Sequence, residues 1–364
     1  MRPKIAYDLR AVASPKKSGV ETYICQVAQE APKYLPNYEF YFFIDRHSSS
    51  IDMSDFQGDN VTLVKSPTKG ERSFWRFVKL YATYKKFDVF HFPLGLMPVQ
   101  LSGKKVTTIY DLTYEMYPEF YQKWEADLQK KEVPRTAAAC DMIIADSFST
   151  KSDIMKFYAI PDEKITVVYP PITNKVALKN SLDVKEKYFL AIGNVQPRKN
   201  FVRIVEALAT LDSQVKLYIV GKEQDPVEMN KIRAAIQKYR LGDRVEITGY
   251  VSDGRLAGLY AGAQAVVYPS VYEGFGYPVL EAFGNKVPLI TANASSTKEL
   301  ARGAALLVDP MDVGDIAAAM KTMLNSEAQR KKLVAAGAKR LEEMKRHNFG
   351  QEIAAVYKGV VENG

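Results

Sequence analysis

The chain has 364 residues, 47% of them apolar and 25% charged, with a formal net charge of +8 and a pI near 9.1. This length exceeds one ordinary core and calls for two domains, and the composition is ordinary for a soluble globular protein. No apolar run reaches the roughly eighteen residues that would span a bilayer, and the two distant cysteines, Cys25 and Cys140, point to a reducing compartment without disulfides.

The opening MRPKIAYDLRAV has no long apolar core and reads as a first strand around Lys4 to Asp8, not as a signal peptide. A loop with Gly19 and a helix from about Val20 follow. Apolar runs come next at Tyr38–Ile44, Val61–Val64, Val89–Phe92, Val106–Tyr110 and Met142–Ala145, with helical patterns between most of them. This alternation predicts a parallel sheet covered by helices on both faces. From Pro170 to Lys187 the chain is proline-led, polar and aperiodic, which predicts a connection between domains.

A second alternating segment places strands at Tyr188–Ile192, Lys216–Val220, Val245–Thr248, Ala265–Tyr268, Leu289–Thr291 and Ala305–Val308. Its helices start at Phe201 and near Val227, a long helix covers Glu327–Glu343, and a final one runs through Val360. The expected fold is α/β, with two Rossmann-like domains facing a cleft. Residues 1–170 form the first, 171–187 the linker, 188–345 the second, and 346–364 a terminal helix. Ligands bind such sheets at the carboxyl ends of their strands.

The densest chemistry lies in VVYPSVYEGFGYPVLEAFGNKVP, Val266 to Pro288. It predicts a buried strand, a glycine-punctuated turn and a helix opening at Pro278. Glu273 falls in the turn and Glu281 in the first helical turn. Gly274 and Gly276 let the backbone around Phe275 approach a ligand closely, and the helix start attracts a negatively charged oxygen. Carboxylates accept hydrogen bonds from vicinal hydroxyls. The arrangement suits a sugar attached to phosphate.

A second candidate is AIGNVQPRKNFVRIVEAL, where Arg198 and Lys199 sit before or within a first helical turn. The helix dipole disfavours cations there, so an anion between them would explain the placement, and a diphosphate fits. Arg offers a planar fork and Lys a point charge. A solvated basic loop is the other reading. Gly19, in SPKKSGVETY, would let a phosphate touch a helix start, although glycines are common in such loops. Asp111, ending the strand of VTTIYDLTYEMYPEF, is a cleft residue or, equally, an N-cap or turn aspartate.

Metal chemistry is not expected. His47, His91 and His347 are dispersed, and no HExxH, Cys/His cluster or D-x-D pair occurs. His91, at a strand end, reads as a structural hydrogen-bonding residue. A Walker A loop, a complete GxGxxG and a GxSxG elbow are also absent. The positive charge calls for an anionic partner, and without zinc-finger spacing, an RNP-like motif or a basic tail, nucleic acid is not expected. In ERSFWRFVKLYATYKK, Arg72, Arg76, Lys79 and Lys86 share one helical face, with Trp75 near it, while Phe74, Phe77, Val78 and Tyr81 share another. Such a helix lies on an anionic membrane or packs its apolar face into a core.

Together these segments resemble glycosyltransferase family 4, retaining enzymes of the two-domain GT-B architecture. YEGFGYPVLEA is similar to the family's E-x7-E signature and GNVQPRKN to its diphosphate loop. The resemblance extends through DLRAVASPKKSGVETY and ADSFSTKSDIMKFYAIPDEKITVVYPPI, in the family's order. It implies that Glu273 contacts the transferred sugar and that the amides of Gly274, Phe275 and Gly276 meet its hydroxyls and phosphate. It further implies that Glu281 holds the ribose and that Arg198 and Lys199 neutralise the diphosphate, with Gly193 and Asn194 in the same loop. Gly19 would line the phosphate side of the first domain, Tyr110 and Asp111 the sugar, and Tyr250 and Val251 the base. The sequence departs from the pattern at Tyr110, where many relatives carry histidine, and at Asn194, where several carry arginine.

The resemblance implies transfer of a hexose from a nucleoside diphosphate sugar to a hydroxyl acceptor, with retention and without a metal or other cofactor. Bacterial polysaccharide mannosyltransferases are the subgroup it resembles, with GDP-mannose as donor; a UDP-hexose is the alternative. A lipid-linked glycan acceptor, a cytoplasmic location and contact with the inner membrane face go with that reading. Two other classes stay open: a glycoside hydrolase, which also uses two carboxylates, and a non-catalytic sugar-nucleotide-binding protein, given Tyr110.

Overall fold

Short runs rich in valine, isoleucine, phenylalanine and tyrosine, such as EFYFFI and YFLAI, are buried along nearly their whole length. Residues apolar on both strand faces need cover on both faces, and parallel sheets provide it. The computed structural model describes residues 2–12, 19–44, 53–56, 58–67, 71–96, 101–172, 186–211 and 214–362. Most of the expected linker, and the loop residues just before Gly19, lie outside the described residues.

The chain divides into two compact units, Met1–Pro171 with His347–Gly364 and Ile172–Arg346. In the first unit the strands are β1 (Lys4–Asp8), β2 (Glu39–Ile44), β3 (Val61–Lys65), β4 (Val89–Phe92), β5 (Lys104–Ile109), β6 (Met142–Ala145) and β7 (Ile165–Val167). They form one parallel sheet in the order β3-β2-β1-β4-β5-β6-β7. The periodicity did not anticipate β7. Three residues are too few to display a period, and pairing with β6, Ile143 beside Ile165, defines it.

The second unit holds β8 (Tyr188–Ile192), β9 (Lys216–Val220), β10 (Val245–Gly249), β11 (Ala265–Tyr268), β12 (Leu289–Ala292) and β13 (Leu306–Val308). Their order is β10-β9-β8-β11-β12-β13, all parallel. Both sheets are doubly wound. The order reverses between β1 and β4 in one unit and between β8 and β11 in the other, and such reversals are where these folds bind ligands.

The terminal helix Phe349–Glu362 packs on the first unit, beside the helix Gly19–Tyr34. Phe349, Ile353, Val356, Tyr357 and Val360 recur every three or four residues and are all buried there. At roughly 1.5–3 kcal/mol for each large apolar side chain buried, that face anchors the helix. His91 on β4 is fully buried, its Nδ1 2.7 Å from the Tyr357 hydroxyl and its Nε2 2.9 Å from Thr108 Oγ1. Burial holds its pKa down to about 3, so the imidazole is neutral and joins β4 to β5 and to the terminal helix.

The helix Glu71–Lys85 sends Phe74 and Val78 into the core. Trp75, placed near the basic side by the helical pattern, also packs inward, edge-on to Phe92 at 4.9 Å. The Arg10 guanidinium lies over both Phe74 and Trp75, at 3.7 and 4.7 Å, and is held by paired bonds to Asp8. Aromatic and cation–π contacts thus take up the ring that helical geometry alone left near the surface.

Candidate functional site

In the second unit the chain leaves β8 at Gly193 and passes through a 3-10 turn at Pro197–Lys199 before the helix Phe201–Ala209. It leaves β11 at Tyr268 and passes through Pro269–Gly276 before the helix Tyr277–Gly284. Because β8 and β11 are neighbours in the sheet, these loops lie side by side at the reversal point. The Val271 amide donates to Arg198 O at 2.8 Å, and Asn200 Nδ2 donates to Pro269 O and Pro310 O at 3.0 and 2.6 Å. Asn200 has φ of +64°, a conformation asparagine tolerates better than most residues.

This neighbourhood gathers Arg198, Lys199 and Glu273, the residues expected to meet the diphosphate and the sugar. Lys199 Nζ donates to Glu273 Oε1 at 2.6 Å and to the Tyr268 hydroxyl at 2.8 Å. Tyr268 donates to the same Oε1 at 2.7 Å, and Ser270 Oγ lies 2.5 Å from it. Arg198 donates to the other oxygen, Oε2, completing an ion pair on each side of the carboxylate. Lys199, Glu273, Tyr268 and Ser270 are all buried. A buried charge persists only when paired and hydrogen-bonded, and here two cations face one carboxylate, leaving one positive charge in excess.

Burial by itself would raise the Glu273 pKa, but Arg198 and Lys199 outweigh it and hold the group at about 2. A carboxyl depressed on folding adds stability above its unfolded pKa of ~4.3 and loses that contribution as pH falls through the folded value. The melting temperature is therefore expected to fall between about pH 4.5 and pH 2 more steeply than in Glu273→Gln. Equal acid sensitivity of the two proteins would contradict the buried ionised carboxylate.

Glycines shape the pocket around Lys199. Gly193 lies under the lysine stem, where a Cβ would come 3.2 Å from Lys199 Cδ. Gly276, at φ of +100°, starts the helix Tyr277–Gly284 with no side chain to cap it, which leaves the positive helix end to other groups. The helix opens at Tyr277, one residue before the expected Pro278. Glu281 is its fifth residue and so lies beyond the first turn, where it accepts a 2.8 Å bond from buried Tyr260.

The turn Glu273–Gly276 is supported from behind by the start of the helix Ser295–Ala301. The Glu273 amide donates to Ser295 Oγ at 3.1 Å, and Ser296 Oγ lies 2.8 Å from Glu273 O and 2.6 Å from Phe275 O. Sequence reasoning assigned no role to Tyr268, Ser270, Asn200, Tyr260, Ser295 or Ser296. The cluster NASST after a predicted strand was the available signal for Ser295 and Ser296.

The other expected residues are dispersed around this centre or belong to the first unit. Asn194 is exposed and bonds Gln224, Tyr250 is exposed at the end of β10, and Val251 beside it is buried. In the first unit, Gly19 opens the helix Gly19–Tyr34, and Tyr110 packs its ring edge-on against Tyr23 at 5.3 Å. Asp111 Oδ1 accepts the Thr113 amide at 3.0 Å, the turn-forming alternative considered for it. Among the described residues no group of three or more His, Cys, Asp or Glu side chains is placed to hold a metal, and no helix is long and apolar enough to cross a membrane.

Residues 174–340 match the family profile described as Glycosyl transferases group 1, and residues 17–174 match Glycosyltransferase Family 4. O-antigen chain mannosyltransferase B of Escherichia coli is 27% identical over 293 residues, 76% of this chain and 75% of that protein. O-antigen chain mannosyltransferase RfbU of Salmonella typhimurium is 30% identical over 227 residues, 62% of each chain. Among solved structures, sucrose-phosphate synthase from Thermosynechococcus elongatus shares the fold across the full length of both chains, with a TM-score of 0.78 at 19% identity.

Proposed function

The chain belongs to glycosyltransferase family 4, with its GT-B fold of two Rossmann-like domains, and from that premise we propose that it transfers mannose from GDP-mannose to a hydroxyl acceptor during polysaccharide assembly. The observation that carries this reading is the ion cluster in which half-buried Arg198 and buried Lys199 flank the buried Glu273 carboxylate, at the sheet reversal between β8 and β11. Two fixed cations there suit a departing diphosphate, whose growing charge they would stabilise with no reorganisation at the moment of reaction. The mannosyltransferase names of both curated relatives support mannose as the sugar.

In the proposed step the acceptor oxygen bonds to the anomeric carbon on the face the diphosphate leaves. The electron pair of the breaking C–O bond goes to the phosphate oxygen, which takes the acceptor's proton, so configuration is retained. No protein nucleophile is required. Glu273 suits a charge anchor beside the sugar and does not suit a glycosidase acid, which needs a raised pKa, whereas this one is held near 2. Glu281, presented one turn into its helix, is assigned to the ribose hydroxyls.

Ligand-induced stabilisation tests the donor. A nucleotide at about a hundred times its Kd adds ~2.7 kcal/mol, which corresponds to a few degrees in melting temperature. GDP is expected to raise the melting temperature more than UDP, and GDP-mannose to release GDP in the presence of a glycan acceptor. A larger shift with UDP would replace GDP-mannose by a UDP-hexose. Nucleotide binding without release across donors and acceptors would favour the non-catalytic alternative.

We also propose a lipid-linked acceptor, met by a cytoplasmic protein at the inner membrane face. The helix Glu71–Lys85 supports this through its outward side, which exposes Arg76, Lys79 and Lys85 with Leu80 (59% exposed) and Tyr84 (80%). Cations add about 1 kcal/mol each near an anionic surface, and exposed Leu and Tyr can enter the interface. Vesicles of phosphatidylcholine and phosphatidylglycerol are expected to retain the protein at low salt and release Leu80→Glu/Tyr84→Glu. Failure to retain the unmodified protein overturns membrane contact.

A further inference from the structure

We infer that Tyr268 is a positioning residue of the transfer site, its hydroxyl setting the place of the Lys199 ammonium relative to Glu273. The inference rests on the reading of Arg198 and Lys199 as the diphosphate-binding pair. Tyr268 is the last residue of β11 and is 1% exposed. Its hydroxyl lies 2.8 Å from Lys199 Nζ and 2.7 Å from Glu273 Oε1.

The direction of these bonds is forced. An ammonium only donates and an ionised carboxylate only accepts, so Lys199 donates to the phenol oxygen and the phenol proton goes to Glu273. Burial, reinforced by the neighbouring Glu273 charge, pushes the Tyr268 pKa well above its ordinary value, so the group remains a neutral hydroxyl. It therefore joins the two loops without changing the charge of the site.

This link matters when Lys199 engages phosphate oxygens. A carboxylate whose only partners were Arg198 and Lys199 would compete directly with the ligand for both cations. Tyr268 and Ser270 donate to the Glu273 oxygen facing Lys199, so that oxygen remains satisfied while the lysine charge is shared with the ligand. Phenylalanine at 268 would keep the ring packing and remove only this adjustment.

The test compares diphosphate with monophosphate binding by calorimetry on the full chain, using GDP and GMP, with UDP and UMP as a parallel pair. Tyr268→Phe is expected to weaken diphosphate binding roughly tenfold, the scale of one hydrogen bond to a charged group, and to leave monophosphate binding unchanged. The loss is expected to disappear in a Lys199→Ala background, because the hydroxyl acts through the lysine. Replacement of Tyr268 by 3-fluorotyrosine keeps the native shape and is expected to give a smaller loss in the same direction. If Lys199→Ala weakens diphosphate binding and neither change at Tyr268 does, the positioning role is overturned. Equal losses for both nucleotide classes also overturn it, since a merely structural role would produce them. If Lys199→Ala itself leaves diphosphate affinity intact, the reading of the site falls instead.

Discussion

Lys199→Ala is expected to lower kcat/KM for sugar transfer about thirtyfold to a thousandfold, the equivalent of roughly 2–4 kcal/mol of electrostatic stabilisation. The ammonium is buried, and its stem is enclosed by Gly193 and by the Tyr268 ring, with Nζ 5.1 Å from the ring centre. A charge held this way contributes fully to a developing diphosphate because it needs no desolvation in the transition state. Removing it leaves Glu273 with Arg198, Tyr268 and Ser270, so the fold should survive. Glu273→Ala should cost a similar factor in rate and more in stability. It leaves the buried Lys199 and the half-buried Arg198 without their shared counter-charge, and breaking one side of a buried pair costs about 3–5 kcal/mol. Steady-state kinetics with the preferred donor, alongside thermal melting, separates the effects. Undiminished turnover in both variants would overturn the assignment of the site.

Gly221→Ala is expected to disrupt the second unit without touching any charged residue of the site. A Cβ at this position would lie 1.8 Å from the Gly193 carbonyl oxygen and 2.5 Å from its carbon. Both are backbone atoms at the adjacent ends of β8 and β9, so no side chain can rotate away. The Gly193 amide bonds Val220 O and the Gly221 amide bonds Gly249 O, so relief of the clash must part the ends of three neighbouring strands. Overpacking a core typically costs about 1–3 kcal/mol, and this contact should cost at least the upper end. Melting of the variant, with GDP affinity measured below its transition, checks the effect. A melting temperature within about one degree of the unmodified protein would contradict the geometry, since each kcal/mol shifts a domain of this size by about 2–4 °C.

Gly221 also shows where sequence reading stops. Its position after KLYIV marked a strand end, yet nothing local revealed that the carbonyl of Gly193 would lie against it. That contact follows from β8 and β9 being neighbours, a property of strand order. Tyr268 is similar. It reads as one more aromatic in a buried strand, and its hydroxyl acquires a role only because β11 pairs with β8 and brings Lys199 within reach. Trp75 errs in the opposite direction, since helical spacing left it near the basic face until Phe92 and Arg10 supplied partners for its ring. The strand β7 was too short to be periodic and exists through its partner. By contrast, Asn194 and Tyr250 were legible as loop residues near the carboxyl ends of strands.

Local sequence was enough to lay out the succession of strands and helices and the two-domain α/β fold, and to single out Arg198, Lys199 and Glu273 as candidates. Each of these rests on local rules: alternation of buried runs, glycines at turns, and charges placed against a helix dipole. It also determined the family, because several such motifs stand in one order along nearly the whole chain. Packing was needed to show that one carboxylate faces both cations, that Lys199 reaches the Tyr268 hydroxyl, and which side of the helix Glu71–Lys85 faces water. These are relations between segments 69 to 75 residues apart or between an element and its core, and they depend on sheet order and packing, which no short window of sequence contains.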